Sequence, residues 1–442
     1  MATKWQNFYQ PRYFKLSMNK KAIICALLLN CWSAIIAKND DNQSQLRLNP
    51  DIEVAIESDT NYSNYPFLNL AKNKIELNGD DWSGLVKKYK GACSGDSIFT
   101  IVYLGDSHVQ ADLGGAVLRR RIAEKTHGAG RGIIIPYKLA ATNQPLDYTF
   151  ATDCKYASSK LLKQPWNTEM PFTGIGIKPM DSNYSFSLNS SIPFNRLRLF
   201  YIGSQPQVLS VMSKAAELDY SVSHLDNYCY VSLAGTVDAI TLSCQGDNNT
   251  TFGGIELLAD SCGSIVHSIG NNGATYGAYS RINNFAKELS SLQSDIIIVA
   301  LGTNEAFGNS NKDTLYCEID NLITDIRTHN PYAHIIMVSP TECFKKVYRY
   351  VKNKNGRRRR VRNTVVNVKT HQVRNIIMSY AKEHNIAYYD HFAVAGGEGS
   401  AKKMQNSKVL NKDGVHFTSA GYFLWGNLLA DALISELNSF GN

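Results

Sequence analysis

Acyl transfer from an ester to water, carried by a side chain, has four requirements. It needs a nucleophile, an imidazole to take its proton, a carboxylate to hold the imidazole, and N–H donors for the oxyanion. Five residues of this sequence have the right types, and they fall in four short segments. Ser107 lies in Gly105-Asp106-Ser107-His108, at the end of the apolar, β-branched run Ile98–Leu104. A serine where a buried strand turns into a helix can present its hydroxyl at the carboxyl end of a sheet, where ligand sites of open α/β folds gather. Gly273 lies in Asn271-Asn272-Gly273-Ala274, Asn304 in Gly302-Thr303-Asn304-Glu305, and Asp413 and His416 in Asp413-Gly414-Val415-His416. His416 is the candidate base. Asp413, three residues earlier, is close enough to orient the ring from the same loop. The candidate oxyanion donors are the Ser107 N–H, the Gly273 N–H and the Asn304 amide; a residue without Cβ lets the backbone come close to a substrate. Each segment alone has an ordinary explanation as a turn, a loop cap or a helix entry. Their joint occurrence, each after a predicted strand, points to serine acyl hydrolysis, which needs no metal or organic cofactor. His108 could line the site or donate to substrate, or only pack and cap the helix. Asp106 reads as a hydrogen-bond partner of the turn.

The elements that must hold these residues follow an α/β rhythm in two stretches. The strand Ile98–Leu104 leads into a helical face with Leu113, Val117, Leu118 and Ile122. The rhythm resumes with strands at Ile265–Ile269, Asp295–Leu301, His334–Ser339 and Ile386–Tyr389. Helices are predicted over Ile282–Leu292, Leu315–Arg327, Val365–Glu383 and Ser419–Leu437. Strands alternating with helices predict a parallel sheet covered on both faces. Between the stretches, short alternating runs separated by Asn, Asp, Ser and Gly predict an inserted all-β sandwich. They include Tyr184–Leu188, Arg196–Ile202, Val208–Met212, Tyr228–Leu233, Ala239–Cys244 and Gly254–Leu258. The glycine-rich segment His127–Gly132 reads as the boundary. The expected division is therefore 1–37 export signal, 38–95 linker and N-terminal extension, 96–130 plus 265–442 α/β domain, and 131–264 insert. Trp82, Leu85 and Val86 are candidates to dock the extension on the main body.

Lys20 and Lys21 before the apolar run Ala22–Ile36, with Ala37 as a cleavage position, read as an export signal. The run is shorter than the roughly 20 residues of a membrane span. Met18 is the expected start. Cys31 would anchor the chain to a membrane only if lipidated. The expected location is periplasmic or secreted. The formal net charge of +8 comes in part from the local run Lys352–Arg362, so it does not mark a nucleic-acid interface. Around that run, Asn355-Gly356 with weakly alternating flanks predicts either an exposed basic hairpin or a solvated charged loop. As a hairpin it would suit an anionic polymer or surface. The nine cysteines include no CxxC and no zinc-like cluster. Pairing among Cys154, Cys229, Cys244 and Cys262 and buried free thiols are both open.

The four segments resemble the Ser, Gly, Asn and His blocks of the SGNH (GDSL-type) hydrolase superfamily. The resemblance covers the α/β part, roughly 200 residues, and implies a flavodoxin-like three-layer domain. Residue by residue it matches Ser107 to the nucleophile, Gly273 and Asn304 to the oxyanion hole, His416 to the base and Asp413 to its partner. The separation of 166 positions between Ser107 and Gly273 departs from compact members. Members with a β-sandwich in that gap and Gly-Asp-Ser-His at the nucleophile resemble periplasmic peptidoglycan O-acetylesterases, whose insert is similar to a carbohydrate-binding module. The resemblance thus implies an O-acetylated glycan partner, peptidoglycan first. Esterase action on other acetylated glycans or lipid esters, and glycan binding with a silent hydrolase domain, are the alternatives.

Overall fold

The computed structural model describes residues 61–439, apart from 226, 260, 310 and 353–357. The export signal, Met18, Cys31 and Asn355-Gly356 lie outside the described residues. The central sheet has six strands, in the order Ile75–Glu76, Ala387–Tyr389, His334–Val338, Ile296–Ala300, Ile98–Gly105, Gly263–Gly270. The last five are parallel, and Ile75–Glu76 adds an antiparallel edge. Numbered along the chain, the parallel strands run 2-1-3-4-5, a doubly wound order.

These strands are apolar throughout because both faces are covered. Phe99, Ile101, Ile296, Ile298 and Ile336 share a core with Trp82, Leu85, Leu118 and the helix Ser419–Ser439. Their neighbours Val102, Leu104, Ile297, Val299 and Met337 face the helices Lys312–His329 and Lys369–Glu383. Leu85, Val86 and Tyr89 form the buried side of the helix Ser83–Cys93. Burial of each such side chain contributes about 1.5–3 kcal/mol, enough to hold the N-terminal extension on the sheet.

Residues 130–258 form ten antiparallel strands. Two are longer than the runs legible in sequence: Asn183–Gly203 and Tyr228–Gln245. They pair with each other across a register break between Ser232 and Ala239. On one side of the break Tyr148–Thr152 and Gln207–Ser213 flank them; on the other, Tyr220–Leu225 and Thr250–Leu258 do. Bulged, bent strands of this kind serve two layers at once. Ile135, Phe172, Ile177 and Phe200 share a core with Leu104, Ile269 and Tyr276, so the β insert packs directly on the α/β part. The seven cysteines among the described residues are free thiols, and Cys229, Cys244 and Cys343 are buried.

The glycine-rich segment runs into a buried strand, Gly130–Ile134, paired with Ile255–Leu258, and two expected helices need correction. Gly130 has φ +142°, and a Cβ there would meet the Leu257 carbonyl oxygen at 2.5 Å. The helix expected over Ile282–Leu292 is only Phe285–Leu289 with a 3₁₀ turn after it, because Asn284 adopts φ +57°. The helix expected from Val365 starts at Lys369; Thr364, Val365 and Val366 pair instead with Lys346, Lys345 and Phe344 in a hairpin. β-branched residues favour that ladder.

Candidate active site

Three parallel strands end level. Gly105 pairs with Gly270 on one side and with Ala300 on the other. The segments that follow them, carrying Ser107, Gly273 and Asn304, therefore meet at one end of the sheet. Gly105 is obligatory at this edge, since a Cβ would lie 2.4 Å from Val109 Cγ2 and 2.8 Å from the Ala300 carbonyl oxygen. Asp106 then caps the short helix Ser107–Gln110 by accepting the His108 N–H at 2.9 Å. The chain turns again at Asp112, φ +55°, before the helix Leu113–Thr126.

Ser107 Oγ lies 3.0 Å from His416 Nε2, and His416 Nδ1 lies 2.8 Å from Asp413 Oδ2. With the Nδ1 proton donated to Asp413, Nε2 is free to accept from the serine. The other Asp413 oxygen accepts the N–H groups of Val415 and His416, at 2.9 and 3.0 Å. Burial raises the Asp413 pKa, but those N–H donors and the His416 ring outweigh it and hold the carboxyl below its ordinary range. Gly414, φ +79°, closes the loop: its N–H donates to the Asn411 carbonyl and its own carbonyl accepts from Phe344 N.

Gly273 adopts φ +82°, and a Cβ there would meet only Leu162 Cγ, at 3.7 Å. Backbone conformation, not crowding, therefore sets the requirement for glycine. Among the described residues, neither the Ser107 nor the Gly273 N–H has a protein acceptor. Asn304 is already engaged: Nδ2 donates to the Ala274 carbonyl at 2.9 Å and to Asp106 Oδ2 at 3.1 Å. Donation to an oxyanion would require it to share a proton now held by one of these.

His108 sits under the base. Its ring lies 5.5 Å from that of His416 and 4.9 Å from that of Phe417, and Nδ1 is 3.3 Å from the Tyr422 hydroxyl. Desolvation first, then His416 and His391, push its pKa down to about 3, so it is neutral. Asp106 is 1 % exposed, and burial pushes it up to about 7 against the His108 N–H and His416.

Two residues position the loops: Gln110, which escapes sequence inspection, and Glu305, which the sequence leaves ambiguous between site and packing. Gln110 Oε1 accepts the Asn272 N–H at 2.7 Å, tying the serine's helix to the Gly273 loop. Glu305 Oε1 accepts the Tyr276 N–H at 2.8 Å, tying the Asn304 loop to the next helix. Glu305 Oε2 is buried with no partner among the described residues, and burial pushes the carboxyl up to about 8. Its folded-state pKa is raised, so ionisation works against folding as pH rises from the unfolded value towards 8. Glu305→Gln is expected to match wild type near pH 5 and to exceed it in stability, by a few kcal/mol in order of magnitude, above pH 8. Urea unfolding at the two pH values checks this.

Residues 238–424 match the sequence model of the GDSL-like lipase/acylhydrolase family; the match starts in the insert and includes Gly273, Asn304, Asp413 and His416 but not Ser107. With the doubly wound sheet, this match marks a GDSL-like acylhydrolase domain within the α/β part. The whole architecture, insert included, is similar to that of a solved structure titled "Peptidoglycan O-acetylesterase in action, 5 min": 22% identity, TM-score 0.67, covering 83% of this chain and 99% of that one. At that identity the likeness is one of fold. A lipase/acylhydrolase from Enterococcus faecalis matches at 18% identity and TM-score 0.28, over 39% of this chain and 77% of its own. A carbohydrate esterase family 3 protein from Talaromyces cellulolyticus matches at 19% and 0.28, over 41% and 74%. No curated protein sequence matches the chain.

Proposed function

We propose that this protein is a serine esterase that removes O-acetyl groups from a cell-wall glycan, peptidoglycan, outside the cytoplasm. One observation carries the chemistry: an unbroken hydrogen-bonded series from Ser107 Oγ through His416 to Asp413 at the carboxyl end of the sheet. The likeness in fold to a peptidoglycan O-acetylesterase over the whole of that chain supports the substrate.

His416 Nε2 takes the Ser107 proton as Oγ attacks the acetyl carbonyl. The N–H groups of Ser107 and Gly273, and the Asn304 amide once it shares a proton, stabilise the oxyanion. One such donor is worth about 2.7–4 kcal/mol of barrier. The sugar hydroxyl leaves with the proton from His416, and water cleaves the acetyl-serine by the reverse path. His108 contributes as packing under the imidazole. The mechanism uses no metal or organic cofactor.

Asp413→Asn is expected to lower kcat by about 10²–10⁴ while KM changes little, because the ring loses its preferred tautomer but the nucleophile stays. The substrate is tested by acetate release from O-acetylated peptidoglycan, acetylated xylan and O-acetylated sialic acid under one set of conditions. Peptidoglycan is expected to be turned over fastest. Preference for either of the others would move the assignment to that glycan, and activity that rises with acyl-chain length on p-nitrophenyl esters would move it to lipid esters.

A further inference from the structure

The segment 344–366 holds ten Lys or Arg and no Asp or Glu, while the whole chain has a formal net charge of +8. The rest of the protein is thus close to neutral, and the positive charge is gathered in one element. That element is an antiparallel hairpin, Phe344–Lys352 with Arg358–Val366, pairing with neither larger sheet. Directly opposed residues share a face. The register Lys346↔Thr364, Tyr348↔Arg362, Tyr350↔Arg360 and Lys352↔Arg358 puts five bases on one side. Tyr348 and Tyr350 lie on the same face, 52% and 71% exposed, and the Arg360 guanidinium stacks 3.8 Å above the Tyr348 ring. The other face carries Val347, Val351, Val361 and Val365 between Lys345, Arg349 and Arg359. Among the described residues no carboxylate pairs with any of these bases. Uncompensated like charges repel one another and oppose folding, so their clustering calls for a counter-charge.

The hairpin is anchored on the candidate site. Phe344 N donates to the Gly414 carbonyl at 2.8 Å, within the Asp413–His416 loop. Beyond the other strand, Asn367 Nδ2 donates to the Ala306 carbonyl at 2.9 Å, two residues after Asn304. Both strands of the ladder are thus tied, at its base, to loops that carry candidate site residues. The ladder is some 30 Å long by strand rise, longer than a small ester. The last described pair of the ladder, Lys352 and Arg358, is basic on both strands.

Resting on the esterase reading above, we infer that the Tyr/Arg face of this hairpin docks a carboxylate-bearing glycan strand and feeds its acetyl groups to Ser107. Bases meet the carboxylates, and the tyrosine rings offer apolar faces to sugars. Electrostatic focusing of a polyanion raises its local concentration by about 10–10³ and falls steeply with salt.

The test compares two triple variants of equal charge in the full chain, one per face: Arg358→Gln/Arg360→Gln/Arg362→Gln and Lys345→Gln/Arg349→Gln/Arg359→Gln. The first is expected to weaken pelleting with insoluble, de-O-acetylated peptidoglycan and to raise KM on the O-acetylated polymer by about tenfold. The second is expected to do markedly less, and p-nitrophenyl acetate hydrolysis is expected to stay at the wild-type rate in both. For wild type, raising NaCl should raise KM on peptidoglycan and not on neutral acetylated xylan. Pelleting is independent of turnover, so it stands even if peptidoglycan proves not to be the substrate. Equal loss from both faces, equal loss on xylan, or no salt effect on pelleting overturns the inference. So does wild-type binding to phosphatidylglycerol vesicles or single-stranded DNA in preference to peptidoglycan.

Discussion

Ser107→Ala is expected to lower kcat for acetate release by about 10⁵–10⁶-fold, the range seen when a serine nucleophile is removed from a working triad. The size of the effect follows from the loss of the hydroxyl that His416 would activate. Ser107 Oγ is 3.0 Å from His416 Nε2. The other polar groups packed around it are occupied: Asp106 holds His108 N and Asn304, and Asn304 holds the Ala274 carbonyl. Loss of the hydroxyl leaves the backbone donors in place, so residual catalysis above the uncatalysed rate should persist. The fold should be spared, because the lost atom's hydrogen-bond partner is a half-exposed ring that water can satisfy. Steady-state kinetics with an unfolding curve on the same sample checks both parts.

His416→Ala is expected to lower kcat by nearly as much, and the double variant Ser107→Ala/His416→Ala to be no slower than either single. Neither residue works without the other: the serine is a weak nucleophile until its proton has somewhere to go. Additive losses would mean that Ser107 and His416 serve separate steps, which the 3.0 Å contact argues against. Stability should fall only modestly, since the His416 side chain is 44% exposed and leaves no sealed cavity.

How far the sequence carried depends on how each residue is held. The strands around the site were legible because Ile98–Gly105 and Ile296–Ala300 are covered on both faces and so consist of unbroken apolar runs. Asp413 and His416 were legible as a pair because one loop places them three residues apart. That Ser107 and His416 meet is a property of the level strand ends, Gly105 beside Ala300 and Gly270, which no local pattern records. Gln110 is invisible, and the role of Glu305 ambiguous, for a related reason. Each is a buried polar side chain serving a partner far away in sequence, Asn272 or Tyr276, and a lone polar residue has no period. The long strands Asn183–Gly203 and Tyr228–Gln245 read as separate short runs because the bend at Ser232–Ala239 interrupts the alternation. Val365 reads from sequence as the start of a helix, but in the fold it pairs across the hairpin with Lys345.

In the proposed function, chemistry and delivery are separate. The candidate triad and its donors stand at the carboxyl end of the sheet, while the positive charge stands on a hairpin tied to two of the site loops. A small neutral ester should sense only the first, and an acidic polymer both.

The central claim is that Ser107 is a nucleophile activated by His416. Peptide mass mapping after treatment with a fluorophosphonate probe reads this directly. Wild type should carry the phosphonyl adduct on Ser107, and His416→Ala, labelled for the same time, should carry almost none. An adduct on a different residue, or equal labelling of Ser107 when residue 416 is alanine, would contradict it.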